Sequence, residues 1–178
     1  MKRFLKFAFC FCVLAIISGC SAITHEYTPT IYALEDTRIT TVTSDELESV
    51  AIINAQDDQT RFFLGEIGRH KYWGNLNQLT QTMVQTCETE LLQRGIRAQD
   101  GADKSLSFSV DAATLDRGMW VVRGVWDVTV TTGSGLTKQY HVENPTPNTV
   151  PRAHNGAAAL AIIDILQDPE IIAYLKGD

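Results

Sequence analysis

The chain has 178 residues, with 15 basic and 21 acidic side chains and a net charge of −6. Its 44% hydrophobic and 20% charged content is ordinary globular usage and excludes a disordered or low-complexity chain. The acidic balance excludes a general nucleic-acid binder, which needs a basic surface, and four cysteines are too few for a disulfide scaffold.

Lys2, Arg3 and Lys6 precede an unbroken apolar run of 11 residues, Phe7 to Ile17. That run is shorter than the ~20 residues that span a bilayer and fits the core of a secretory signal. It ends in Ile17-Ser18-Gly19-Cys20, which resembles the bacterial lipobox. The implied chemistry is cleavage between Gly19 and Cys20, a diacylglycerol on the Cys20 thiol and an acyl chain on the new amine. An ordinary signal peptide with a chance cysteine is the alternative. Several acyl chains together exceed the threshold for stable anchoring. Without residues 1–19 the chain keeps 12 basic and 21 acidic side chains, net −9, so the lipid rather than the surface charge holds it to a membrane. Ser21, not Asp, follows Cys20, which in Gram-negative lipoproteins implies transfer to the outer membrane, facing the periplasm.

Cys10 and Cys12 leave with the signal, so only Cys87 remains as a free thiol. It falls on an apolar helical stripe and reads as a core residue rather than a reactive thiol. Residues 20–30 read as a lipidated tether that lets the domain stand off the membrane. A single domain is expected over 31–178.

Within that domain, short strands are expected at 31–34 and 39–43, and a firmer one over Val50 to Ala55. Gln56-Asp57-Asp58-Gln59 reads as a turn. Residues 61–74 carry Gly65, Gly68 and Gly74 among aromatics and read as an irregular excursion. Leu76, Leu79, Met83, Cys87 and Leu91 recur at helical spacing, so a helix is predicted over 75–94, capped by Asn75 and ended by Gly95. Leu106, Phe108 and Val110 alternate with polar residues, the mark of a half-buried strand. Trp120, Val122, Gly124, Trp126, Val128 and Val130 share one parity, so one long strand is predicted with both tryptophans in the core. Thr132-Gly133-Ser134-Gly135 is a hairpin turn, and Leu136, Tyr140 and Val142 form the return strand. Asn144 to Pro151 holds three prolines and reads as a loop. A helix over 155–167 and a short one opened by Asp168-Pro169-Glu170 complete the chain. The order β-α-β-β-β-α implies an α+β two-layer sandwich, a mostly antiparallel sheet with helices on one face.

No catalytic constellation emerges. The Gly133-Ser134-Gly135 run lies in a turn, and no phosphate loop or dinucleotide fingerprint is present. His25, His70, His141 and His154 are scattered along the chain. His141 and Glu143 share a strand face, but two ligands fall short of a zinc site, so no metal is expected. Asp57 and Asp58 read as a solvated turn. The distinctive segment is 61–74. Arg61, Phe62, Phe63, Arg69, Tyr72 and Trp73 make an aromatic and basic cluster in an acidic protein. It is read either as an exposed partner surface or as a lid on the core.

Taken in order, the lipobox at Cys20, Val50-Ala51-Ile52-Ile53 leading to Asp57 and Arg61, Leu91-Leu92-Gln93-Arg94-Gly95, the strand at 105–111, Trp126-Asp127-Val128, Lys138, Tyr140 and Asp168-Pro169-Glu170-Ile171 resemble the YajG family of bacterial lipoproteins. The resemblance implies an outer-membrane lipoprotein with an α+β domain, and it carries over no active site. The expected function is that of a non-catalytic, lipid-anchored binding or scaffold protein. It is expected to partner the membrane through its lipid, together with an envelope protein or cell-wall component. No nucleic acid is expected, and no cofactor beyond the lipid on Cys20. Two alternatives stay open: an auxiliary subunit of a lipid-transport or secretion-type envelope complex, and a small periplasmic hydrolase.

Overall fold

The alternating segments pair as their pattern dictates. Strands β6 (Ser105–Arg117), β7 (Val122–Thr132) and β8 (Thr137–Thr146) form an antiparallel meander. Phe108 faces Val130, Val110 faces Val128 and Trp126 faces Val142, all on the buried side. In the computed structural model, which describes residues 22–30, 42, 45–147 and 149–177, β2 (Ser49–Asn54) adds parallel to β6. The two-residue strand β5 (Arg97–Ala98) adds parallel to β2, giving the order β5-β2-β6-β7-β8.

Helix α1 (Leu76–Gln93) buries Leu79, Met83, Cys87 and Leu91 against β2 and β6. Asn75 caps it through Oδ1, which accepts the Gln78 amide at 3.0 Å. At its other end Gly95 takes the left-handed φ of 78° and the Ile96 amide returns to the Leu91 carbonyl. Helix α2 (Val150–Gln167) lies on β7 and β8. Its close approach needs Gly124, where a Cβ would stand 2.6 Å from the Ala153 carbonyl oxygen. Helix α3 (Pro169–Lys176) follows with Asp168 at its cap. Helices thus cover one face of the five-stranded sheet, while Asp111, Asp127, Gln139, His141 and Glu143 are exposed on the other. This is the α+β two-layer arrangement that the sequence implies. Each fully buried Leu, Val or Phe on the inner face contributes roughly 1.5–3 kcal/mol. Cys87 is buried among them, and burial pushes its thiol well above the usual range.

Four expectations change. Segment 61–74 is a β-hairpin, β3 (Arg61–Ile67) and β4 (His70–Asn75), with a register shift between Phe63 and Gly65 and a turn at Gly68 with φ 61°. Three glycines among aromatics resemble a loop, but Gly68 serves the turn and Gly65, at φ 147°, admits Leu115. A Cβ on Gly65 would stand 2.5 Å from the Leu115 Cβ. Second, part of the expected tether is strand. Residues Ile23–Glu26 form β1, parallel to β4, and Tyr27 beyond them is buried, with its hydroxyl donating to Asn155 Oδ1. Main-chain pairing to β4 outweighs the polar composition there. Third, Trp120 is 83% exposed. The Gly118 amide bonds the Val121 carbonyl at 2.9 Å and closes a turn, so β7 starts at Val122 and the shared parity ends there. Trp126 is in the core as expected. Fourth, β8 runs on through Pro145 to Thr146, and α2 starts at Val150. Proline is tolerated there because β8 is an edge strand, and Pro151 sits in the first turn of the helix. The signal segment, Cys20, the expected strand at 31–34 and, apart from Val42, the one at 39–43 lie outside the described residues.

Candidate functional site

The aromatic and basic cluster is built on the three-stranded sheet, in the order β1-β4-β3. Strand alternation divides its rings between two faces. Phe62 and Tyr72 are partly buried and pack against the core. Phe63, 45% exposed, stands opposite Trp73 in the ladder, with ring centroids 5.3 Å apart in an edge-on contact. The Arg61 guanidinium lies 4.1 Å from the centroid of the Trp73 ring and also pairs with Glu26 on β1. Arg61, Phe63 and Trp73 thus form one outward patch. Arg69 lies apart from it, exposed at the β3–β4 turn.

Beside this patch is a half-open cleft of 280 Å³, bordered by Glu26, Tyr27, Arg61, Gly74, Asn75 and Gln78. A cation stacked on an indole next to a cleft is a recognition geometry for planar or anionic groups. The chain between β2 and β3 is held by successive side-chain turns. Gln56 Oε1 accepts the Asp58 amide at 2.9 Å, and Asp58 Oδ1 accepts the Thr60 amide at 2.7 Å. The bonds from Thr60 hold the Asp58 carboxyl below its ordinary value. Asp57 and Asp58 therefore belong to a turn, as their sequence suggests.

The structure joins two histidines that sequence separates. His25 Nε2 and His70 Nδ1 are 2.8 Å apart, so one ring donates to the other. Tyr72 stacks on His25 at 4.9 Å between centroids. The signal for this pair was the β1–β4 pairing, which no local pattern announces. His141 does meet Glu143 on the exposed face, but its tighter bond is to Asp127, at 2.6 Å from Nδ1. Bonds to Asp127 and then Glu143 raise its pKa above the ordinary histidine value. Arg123 bridges Glu143 and Asp116 in the same exposed row. Among the described residues no group of three or more histidine, cysteine and acidic side chains is arranged to hold a metal ion.

Other polar groups serve the fold. The Trp126 indole donates to His154 Nδ1 at 2.8 Å, and burial pushes the His154 pKa down to about 4. Lys138 and Tyr140 both bind Asp168, at 2.8 and 2.9 Å. The Tyr174 hydroxyl accepts the amides of Ser105 and Gly133. No described helix is long and apolar enough to cross a membrane.

The exposed pair Met119 and Trp120, 86% and 83% accessible, is the largest apolar feature missed by sequence parity. The signal against a continuous strand was Asp116-Arg117-Gly118, a polar and glycine turn segment.

No family model matches the chain, and no curated protein matches it. Among solved structures, it is similar to a Xanthomonas campestris protein of the family DUF330, with a TM-score of 0.54 and 14% identity over 86% of this chain and 96% of that one. A second, described as an uncharacterized protein, has 12% identity over 79% of this chain and 95% of its own, with a TM-score of 0.38. At 14% identity the likeness to the DUF330 protein is one of fold, and the fold is what this chain shares with it.

Proposed function

We propose that this chain is a non-catalytic, lipid-anchored lipoprotein of the YajG-like type. It would act as a binding or scaffold protein on the periplasmic face of the outer membrane. The observation that carries the binding role is the outward patch of Arg61, Phe63 and Trp73 beside its cleft. It offers a partner a rigid cation-on-indole surface on paired strands, with part of its apolar area in water. The anchor rests on Ile17-Ser18-Gly19-Cys20. The partner is an envelope protein or a cell-wall component, and the lipid on Cys20 is the only covalent group the reading needs. The titratable side chains at His154, Lys138, Tyr140 and Asp168 serve structural bonds, which favours binding over catalysis.

A second reading, as an auxiliary subunit of a lipid-transport or secretion-type complex, draws support from β8. Among the described residues this ten-residue edge strand has one ladder partner, β7, and could take an added strand from a neighbour.

The test is in cells. An alkyne fatty acid should label the wild-type chain and leave Cys20→Ala unlabelled, with the labelled form in the outer-membrane fraction. Crosslinkers at 61, 63 and 73 should capture one envelope component reproducibly. An unlabelled chain in the soluble fraction overturns the anchor. Capture unchanged in Arg61→Ala and Trp73→Ala overturns the patch, and capture through β8 positions instead selects the second reading.

A further inference from the structure

Two contacts show that the chain leading into and along β3 advances in the same sense as β6. Five residues before β3, the Gln56 amide group reaches the carbonyl of Val110, midway along β6, at 2.8 Å. Farther on, Gly65 crosses Leu115. Past that crossing, Gly68 lies about 10 Å farther along and the 118–121 turn begins about 7 Å farther along. The two turns therefore share one end of the molecule. β1 enters at the same end: Ile23 pairs with His70 and its amide bonds the Arg69 carbonyl at 2.9 Å. From Ile23 the chain runs inward to the buried Tyr27.

Three residue steps separate Cys20 from Ile23, at most ~11 Å of extended chain. A lipid on Cys20 would thus hold this end against the headgroups, with no tether to stand off on. The side chains presented there suit that position. Met119 and Trp120 are the two most exposed large apolar residues described, and Ile23 is 37% exposed. Arg69 and Arg117 are exposed on the two turns, and Asp116 pairs with Arg123 at 2.9 Å. A protruding indole and thioether rimmed by long cations is the composition of an interfacial membrane contact.

We propose that this end is the membrane-facing surface, with Met119 and Trp120 seated in the headgroup layer of the bilayer that Cys20 anchors. The proposal rests on the lipidation reading above. The local cations act against a net acidic body, so the contact is a short-range seat that the anchor makes effective.

The test uses the full chain, processed in a Gram-negative host and reconstituted in phosphatidylethanolamine–phosphatidylglycerol vesicles brominated at shallow acyl positions. Flotation and the mass of the Cys20 peptide report the anchor. Tryptophan quenching reports the seat. The floated protein should show quenching that Trp120→Phe abolishes, and that a flexible Gly/Ser spacer after Ser21 weakens. Flotation with a lipidated Cys20 but no quenching lost in Trp120→Phe overturns the seat and leaves the anchor standing. An unmodified Cys20 overturns both. A photocrosslinker at 120 that captures a discrete protein in cells, instead of lipid, also overturns the proposal.

Discussion

The Thr80 hydroxyl accepts the Val110 amide at 2.9 Å, and this bond crosses from α1 to the point where β6 breaks register. The ladder between β6 and β7 shifts between Val110 and Ala112. A bulge leaves backbone groups without ladder partners. Here the amide goes to Thr80 and the carbonyl to the Gln56 side chain. Thr80→Val should leave the buried amide unpaired and destabilise the fold by about 2 kcal/mol in urea unfolding, with Thr80→Ser retaining most of the stability. A Thr80→Val chain as stable as wild type would show that the bulge has another partner.

Gly124 sets how close α2 lies to β7. Gly124→Ala should lower stability by about 1–3 kcal/mol, because the added methyl meets the Ala153 carbonyl rather than a movable side-chain tip. Thermal unfolding measures this directly. Gly135, where a Cβ has nothing within 4 Å, provides the contrasting site, strained only through its φ of 90°.

Asp168 caps α3 and receives Lys138 and Tyr140 at once. Its partial burial raises its pKa, but the bonds from Lys138, Tyr140 and the Glu170 amide outweigh that and hold it below the ordinary carboxylate value. A depressed carboxylate contributes stability that is fully present above its unfolded pKa and is lost as pH falls through the lowered folded value. Asp168→Asn should flatten that acid limb, and Asp168→Ala should cost about 1 kcal/mol at neutral pH from the lost cap alone. Denaturation series at neutral and strongly acidic pH distinguish the two.

His154 acts in a different window. It accepts from Trp126 while neutral, and burial lowers its pKa from 6.5 to about 4. Between those values the unfolded chain binds the proton and the folded chain does not. Stability is therefore full above pH 6.5, falls as pH drops toward 4, and levels off below it. The loss amounts to about 3 kcal/mol. His154→Gln keeps an acceptor for the indole and should remove this slope; a slope that persists would assign it to other groups.

Legibility in the sequence followed locality. The α1 stripe, its Asn75 and Gly95 ends and the Asp168 cap were readable because three or four neighbouring residues decide them. The resemblance to YajG lipoproteins had set Lys138, Tyr140 and Asp168 in one ordered list, and in space they converge on a single carboxylate. What depended on distant pairing was not readable. β1 needs β4, the His25–His70 contact needs β1, and the glycines of β3–β4 resemble a loop until Leu115 is seen against Gly65. Trp120 was misplaced because parity extrapolates through a turn that only the Gly118–Val121 bond reveals. The candidate patch was half legible: its members were named together, but alternation sends Phe62 and Tyr72 inward and leaves Arg61, Phe63 and Trp73 outside.

The parallel pairing of β2 with β6 has a consequence for how the chain acquires its structure. Ile52 meets Leu106 only after more than fifty intervening residues have been laid down, and β1 must likewise await β4. The meander β6-β7-β8, joined by two short turns, can form first from near neighbours. A chain delivered N-terminus first would therefore carry β1 unpaired until β4 follows, and β2 unpaired until the later half arrives. Phe108→Leu should slow folding, whereas Val50→Ala should chiefly speed unfolding, as stopped-flow measurements can read. Of the leading strands β2, whose partner lies farther along the chain than that of β1, is thus the last to be locked in place.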